Sequence, residues 1–180
     1  FMLIGAILTF FFMSIDYHKL RQISRPLLII SIILLVLVLI PGLGREVSGA
    51  RRWFRFKFLS FQPSELVSLA MIIYVADFIS RKGNLIKTFL KGFLPPICIL
   101  GFCAGLIIIQ PDLGSTIAIG AVVLVMLFVA GVRPIYILSL ILSSLPALYL
   151  FIFHVAYRRA RILAFLNPFS DPQGFSYHIS

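Results

Sequence analysis

Apolar residues occupy most of this chain in long blocks, and a short run, Phe54-Arg55-Phe56-Lys57-Phe58, alternates aromatic and cationic positions. Six blocks, at about 1–15, 23–41, 62–79, 93–110, 113–131 and 134–153, are separated by polar segments. A bilayer core takes roughly 17–25 apolar residues as helix, so the pattern predicts six crossings, the first of them truncated. Prolines fall near several predicted starts. Pro26 is expected in the first turn of the second span, and Pro95 and Pro96 in that of the fourth, where a missing N–H costs nothing. Pro146 falls inside the sixth span, where a kink is expected, with Ser143 and Ser144 re-satisfying freed backbone groups.

The predicted class is therefore an all-α, polytopic transmembrane helix bundle. Residues 1–153 form the spans with an outer loop at 42–61, and 154–180 begin a larger loop. The chain opens inside an apolar stretch without an initiator Met and stops inside a polar one, so it is expected to be an internal piece of a longer protein. A cleaved leader fits 1–15 poorly, because Asp16-Tyr17-His18 does not resemble a small-residue cleavage site.

Composition agrees. Hydrophobic residues make up 61% and charged residues 12% of the 180, with a mean hydropathy of +1.08. A soluble domain carries about 25% charged residues, so this chain lacks the polar surface for water. The formal net charge of +10 would suggest nucleic acid in a soluble domain. Here the cations lie between apolar blocks, which points to membrane lipids and phosphate-bearing lipid substrates and away from nucleic acid. Cys98 and Cys103 both lie in one apolar block and read as buried small hydrophobes.

Six crossings sort the polar segments onto two faces. The segments 16–25, 80–92 and 131–133 share one; 42–61, the turn near 110–113 and 154–180 share the other. Cations divide evenly, eight to each, so the positive-inside rule does not orient the chain. Acids do not divide evenly. Asp16 and Asp77 belong to the first face, where a helix-end or lysine-paired role is expected, and Glu46, Glu65, Asp112 and Asp171 to the second. The helix from Glu65 to Asp77 rises only about 18 Å at ~1.5 Å per residue. That is less than a core of roughly 30 Å, so one of the two is expected below the headgroups, and Glu65 is the candidate.

Four constellations mark the acid-rich face. Gly49-Ala50-Arg51-Arg52-Trp53 runs into Phe54-Arg55-Phe56-Lys57-Phe58. This pattern suits either an interfacial anchor or phosphate recognition by paired guanidiniums. Phe61-Gln62-Pro63-Ser64-Glu65-Leu66 and Ile109-Gln110-Pro111-Asp112-Leu113-Gly114 each set a proline at a helix start with a carboxylate close behind. Such an acid either stabilises the positive end of the helix dipole or lines a wet cavity. Tyr157 to Leu166 places Arg158, Arg159 and Arg161 beside an apolar strip, as in a short surface helix. Asn167-Pro168 ends it, and Asp171-Pro172-Gln173-Gly174 turns the chain. No metal-ligand spacing, phosphate-cradling glycine loop or nucleophile triad is apparent.

In order and spacing these four constellations resemble the SEDS family, the shape, elongation, division and sporulation proteins of the FtsW/RodA/SpoVE type. The resemblance covers nearly all of the chain. It implies a protein of about ten spans, of which spans two to seven and the start of the large extracytoplasmic loop are present. It further implies a peptidoglycan glycosyltransferase of the bacterial cytoplasmic membrane that polymerises lipid II on the outer face. By the same resemblance Asp171 matches the leading catalytic residue, Glu65 and Asp112 match cavity acids, and Arg51 and Arg52 match the paired arginines before the tryptophan. The implied partner is a class B penicillin-binding transpeptidase.

Two positions depart from the family pattern: Ser68 stands where a lysine is common, and Gly174-Phe175-Ser176-Tyr177 lacks the usual second glycine. Ser68 denies Glu65 a lysine partner in its own helix, so Glu65 is expected to find another cation or stay partly protonated. Glycan polymerisation needs a base for the attacking hydroxyl, assigned to Asp171. It also needs positive charge for the departing pyrophosphate, assigned among Arg51, Arg52, Arg158, Arg159 and Arg161. A divalent cation could share that charge, though no residue identifies a metal site. The same residues also suit a flippase for the same lipid, or a scaffold that only docks partners.

Overall fold

The computed structural model describes residues 17–41, 44–47, 50–56 and 59–153. Five helices carry most of them: α1 (Tyr17–Leu37), α2 (Pro63–Lys82), α3 (Leu94–Ile109), α4 (Leu113–Val129) and α5 (Pro134–Phe153). The chain divides into two units, 1–133 and 134–180. The first holds α1 to α4 and the second holds α5. Three helical segments are long and apolar enough to cross a membrane: Lys19–Leu37, Pro63–Lys87 and Phe89–Ile109. Leu113–Val129 and Pro134–Pro146 are shorter apolar helices. The first apolar block of the sequence lies outside the described residues.

Within the first unit α1 packs along α2, α2 against α4, and α3 against α4. Each helix is apolar on every side, so hydrophobicity alone does not choose the inner face. The buried positions do show a rule. On α1 they are Ser24, Leu28, Ser31 and Leu35, with Val38 just beyond its end, and α3 shows the same spacing with Pro96, Leu100, Cys103 and Ile107. Steps of four and three residues keep one narrow seam in contact, as in coiled coils. On α1 to α3 the seams set small and polar residues, among them Ser24, Ser31, Ser64, Ala70 and Cys103, beside large ones such as Leu35, Met71 and Ile107. Lipid is as apolar as leucine, so close backbone approach and hydrogen bonds drive association. Large aliphatics such as Ile29, Ile33, Val125 and Val129 point outward.

Several sequence expectations change in detail. Helix α1 begins at Tyr17, so Pro26 lies in its interior and not in its first turn. Pro63 opens α2, and Pro95 and Pro96 fall in the first turns of α3. Helix α5 continues through Pro146, but the hydroxyls of Ser143 and Ser144 donate to the carbonyls of Leu140 and Ile141. The carbonyl that Pro146 deprives of a donor is that of Leu142, so neither serine replaces the lost bond. Cys98 is exposed while Cys103 is buried, and both are free thiols.

The segment expected as a loop at 42–61 contains a small sheet. Strands β1 (Arg45–Val47), β2 (Ala50–Phe56) and β3 (Leu59–Phe61) form an antiparallel meander in that order. Glu46 stands opposite Arg51, and Phe54 opposite Phe61. Connections of two residues join the strands, which fixes their register.

Tight connections end the helices. Gly131, at φ +89, follows α4; its N–H bonds the Phe128 carbonyl at 3.0 Å and the Val132 N–H bonds that of Leu127 at 3.1 Å. This is the Schellman arrangement, with Val132 and Leu127 both buried as its apolar contact. Between α2 and α3 the chain makes a 3₁₀ turn at Gly83–Lys87 and a π-turn at Phe89–Phe93.

Candidate functional site

The acid-rich face becomes a cluster built from β2, the start of α2 and the corner between α3 and α4. Asp112 is its centre. It is the N-cap of α4 and 9% exposed. Oδ1 accepts the Ser115 N–H at 3.2 Å; Oδ2 accepts the Ser115 hydroxyl at 2.8 Å and the Gln62 side-chain amide at 3.0 Å. A short carboxylate in this position satisfies an orphan donor and meets the positive end of the helix dipole. Gln62 immediately precedes Pro63, the first residue of α2, so its amide joins the α2 start to the α4 start.

Arg52 holds the other side of the corner. Its Nε donates to the Gln110 carbonyl at 2.7 Å and its Nη2 to the Pro111 carbonyl. These carbonyls follow the last turn of α3, where acceptors lack helical partners and the dipole is negative. Two N–H groups of the guanidinium are therefore committed to backbone, and the others remain for an anion. Gln110 is 1% exposed; its amide donates to the Leu35 carbonyl at 3.1 Å and ties the corner to the end of α1. Its Oε1 and the Ser64 hydroxyl oxygen are buried without a hydrogen-bond partner.

The two proline motifs thus do different work. Gln62-Pro63 opens a helix, whereas Gln110-Pro111 closes one and Asp112 opens the next. Sequence reading quoted both glutamines but gave them no role. The signal available was the glutamine placed before proline in both motifs.

Of the other expected site residues, Glu65 lies in the first turn of α2 with its side chain exposed. The structure buries Asp77 instead, at 5% exposure. Ser24 donates to its Oδ2 at 2.8 Å, Arg81 pairs with the same oxygen one helical turn on, and the Arg21 Nε lies 3.3 Å from Oδ1. That last contact is an ion pair off the hydrogen-bond line, since Oδ1 has no hydrogen-bond partner. Of the expected helix-end or lysine-paired role, the pairing is made by arginines. Ser68 turns its hydroxyl onto the Ser64 carbonyl at 2.8 Å. Arg51 lies on β2 opposite Glu46. Arg158, Arg159, Arg161 and Asp171, with the expected surface helix, lie outside the described residues.

The first unit therefore defines a class: a membrane helix bundle whose polar residues gather at its two ends, one of them capped by a cationic strand. The model of the cell cycle protein family FtsW/RodA/SpoVE matches residues 1–180, and the chain belongs to that family. A probable peptidoglycan glycosyltransferase FtsW of Geobacter metallireducens is 43% identical over 93% of this chain and 44% of its own length. Stage V sporulation protein E of Bacillus subtilis is 42% identical over 98% of this chain and 48% of its own. Among solved structures, a chain described under "Structural coordination of polymerization and crosslinking by a peptidoglycan synthase complex" superposes with a TM-score of 0.75. It is 31% identical and covers 97% of this chain and 51% of that one. The rod shape determining protein RodA of Thermus thermophilus gives a TM-score of 0.67 at 30% identity, over 82% of this chain and 46% of that one. The chain spans about half the length of these relatives. It is a multi-pass membrane protein.

Proposed function

We propose that the full-length protein polymerises lipid II, the undecaprenyl-pyrophosphate-linked disaccharide peptide, into glycan strands. The observation that carries this reading is the family match along the whole chain. The gathering of Arg52, Gln62 and Asp112 at one end of the bundle supports it. In this reading six spans occupy 1–153, and the acid-rich end, with the outer loop 42–61 and the large loop beginning at 154, faces outward from the bacterial cytoplasmic membrane.

Polymerisation joins a sugar hydroxyl to an anomeric carbon and releases a lipid pyrophosphate. Asp171 takes the hydroxyl proton as the bond forms, a contribution of about 10²–10⁴-fold. Arg52 is already oriented by two backbone carbonyls and lends its remaining N–H groups to the leaving pyrophosphate, with Arg51, Arg158, Arg159 and Arg161 adding charge. Glu65, exposed at the start of α2, holds sugar hydroxyls, and Asp112 keeps the corner in place. A class B penicillin-binding transpeptidase that cross-links the product is the fitting partner.

The test is polymerisation of labelled lipid II by the purified full-length protein and its Asp171→Asn variant. The variant should lose at least a hundredfold in chain formation while remaining folded. Near-normal product would remove Asp171 as the base. Wild-type protein that moves the lipid across a vesicle membrane and makes no polymer would instead indicate a flippase.

A further inference from the structure

At the other end of the first unit, a groove of about 660 Å³ opens between α1, α2 and α3. Its wall includes Ile29, Ile32 and Ile99, and its rim carries Arg25, Arg81 and Lys82. It belongs to the Asp77 end of the bundle: Ser24 and Arg81 both bond Asp77, and Gln62 lies about 20 Å away along α2 at ~1.5 Å per residue. The Asp112 cluster therefore plays no part in it.

The rim is positively charged and short of partners. Arg81 is engaged by Asp77. Lys82 stacks its ammonium 5.4 Å from the Phe78 ring centre, and neither it nor Arg25 makes an ion pair among the described residues. Loop parity gives this end eight of the sixteen cations and two of the six acids. One of those acids, Asp77, is already bound to two arginines and a serine. The wall continues onto the outward side of α1, where Ile29 is 58% exposed. An apolar trough whose rim carries three cations, one of them paired with Asp77, is complementary to an anionic lipid of the membrane itself.

We propose that this groove is a binding site for a single anionic phospholipid. Its phosphate sits among Arg25, Arg81 and Lys82, and an acyl chain lies along Ile29, Ile32 and Ile99. Basic pockets between membrane helices recognise anionic headgroups in this way. The site is separate from the polymerising centre and does not depend on the catalytic reading.

Native mass spectrometry of the full-length protein in detergent tests it, with phosphatidylglycerol and phosphatidylcholine of matched acyl chains as probes. Wild-type protein should retain phosphatidylglycerol in preference. The double variant R25Q/K82Q removes two rim charges, and at about fivefold per surface cation should lower retention by roughly twenty-five-fold. K87Q/K91Q removes the same charge outside the groove and should change retention less than twofold. Ile29→Trp, which fills the trough and leaves every charge in place, should also expel the lipid. Equal retention of both lipids would overturn the proposal, as would unchanged retention in R25Q/K82Q or an equal loss in K87Q/K91Q. Displacement by millimolar inorganic phosphate together with indifference to Ile29→Trp would assign the rim to a free anion and overturn the lipid site. The substituted rim residues are not part of the buried seams, so a single sharp elution peak identifies variants that are folded.

Discussion

Two carboxylates, Asp112 and Asp77, show how much a neighbourhood decides at the scale of single residues. Asp112 caps a helix and accepts from three donors. Asp112→Ala should destabilise the protein by about 1–2 kcal/mol, measured by thermal unfolding in detergent. Asparagine also caps through its Oδ1, but its Nδ2 cannot accept from Gln62 and Ser115 as Oδ2 does, so Asp112→Asn should fall between wild type and Asp112→Ala in the same assay. Asp77→Ala leaves Arg21 and Arg81 facing an empty site. The loss should be about 1–3 kcal/mol, below the 3–5 of a fully buried pair, because the arginines stay partly wet at 54% and 31% exposure. Arg21→Gln should cost under about 1 kcal/mol by the same assay. An acid beside a predicted helix start was visible in the sequence, and so was the four-residue spacing of Asp77 and Arg81. The reach of Ser24 and Arg21 from α1 was not, because it depends on how two helices are rotated about their axes.

Whole elements were legible where their signal is length, and hidden where it is orientation. Apolar blocks located α2 to α4 to within a few residues. They could not say which side of each helix faces inward, since large aliphatics occupy both sides, as Ile119 and Leu127 within and Val125 and Val129 without show on α4. The meander at 45–61 was missed for another reason. Phe54 to Phe58 alternates aromatics with cations, a pattern equally suited to a membrane-surface segment, and β1 and β3, at three residues each, are too short for a period of two to stand out. The end of α4 was better marked. Gly131 adopts a left-handed φ within a Schellman turn, so Gly131→Ala should cost about 1–2 kcal/mol, again read by thermal unfolding. At Gly92 a methyl group would collide with the Ile86 backbone. Gly92→Ala should therefore lower the yield of folded protein more than Gly101→Ala, where a Cβ meets open space.

Across the first unit the chemistry is divided between two ends. Glu65 opens α2 at the Asp112 end, and Lys87 lies beyond the last turn of α2 at the Asp77 end. In a background with Cys98 and Cys103 replaced by alanine, Glu65→Cys and Lys87→Cys should react with a membrane-impermeant maleimide from opposite sides of sealed vesicles. Labelling of both from one side would contradict the crossing by α2. Between the ends runs an interior whose polar ties were laid down by residues from all four helices, and Arg52 adds a fifth element. Its guanidinium spans two successive carbonyls at the α3–α4 corner while its backbone belongs to the meander. A displacement of either by more than about an ångström would carry both donors out of range. Any force applied to the strands would thus be felt at the start of α4 by two routes, the Arg52 guanidinium reaching from β2 and the Gln62 amide that follows β3.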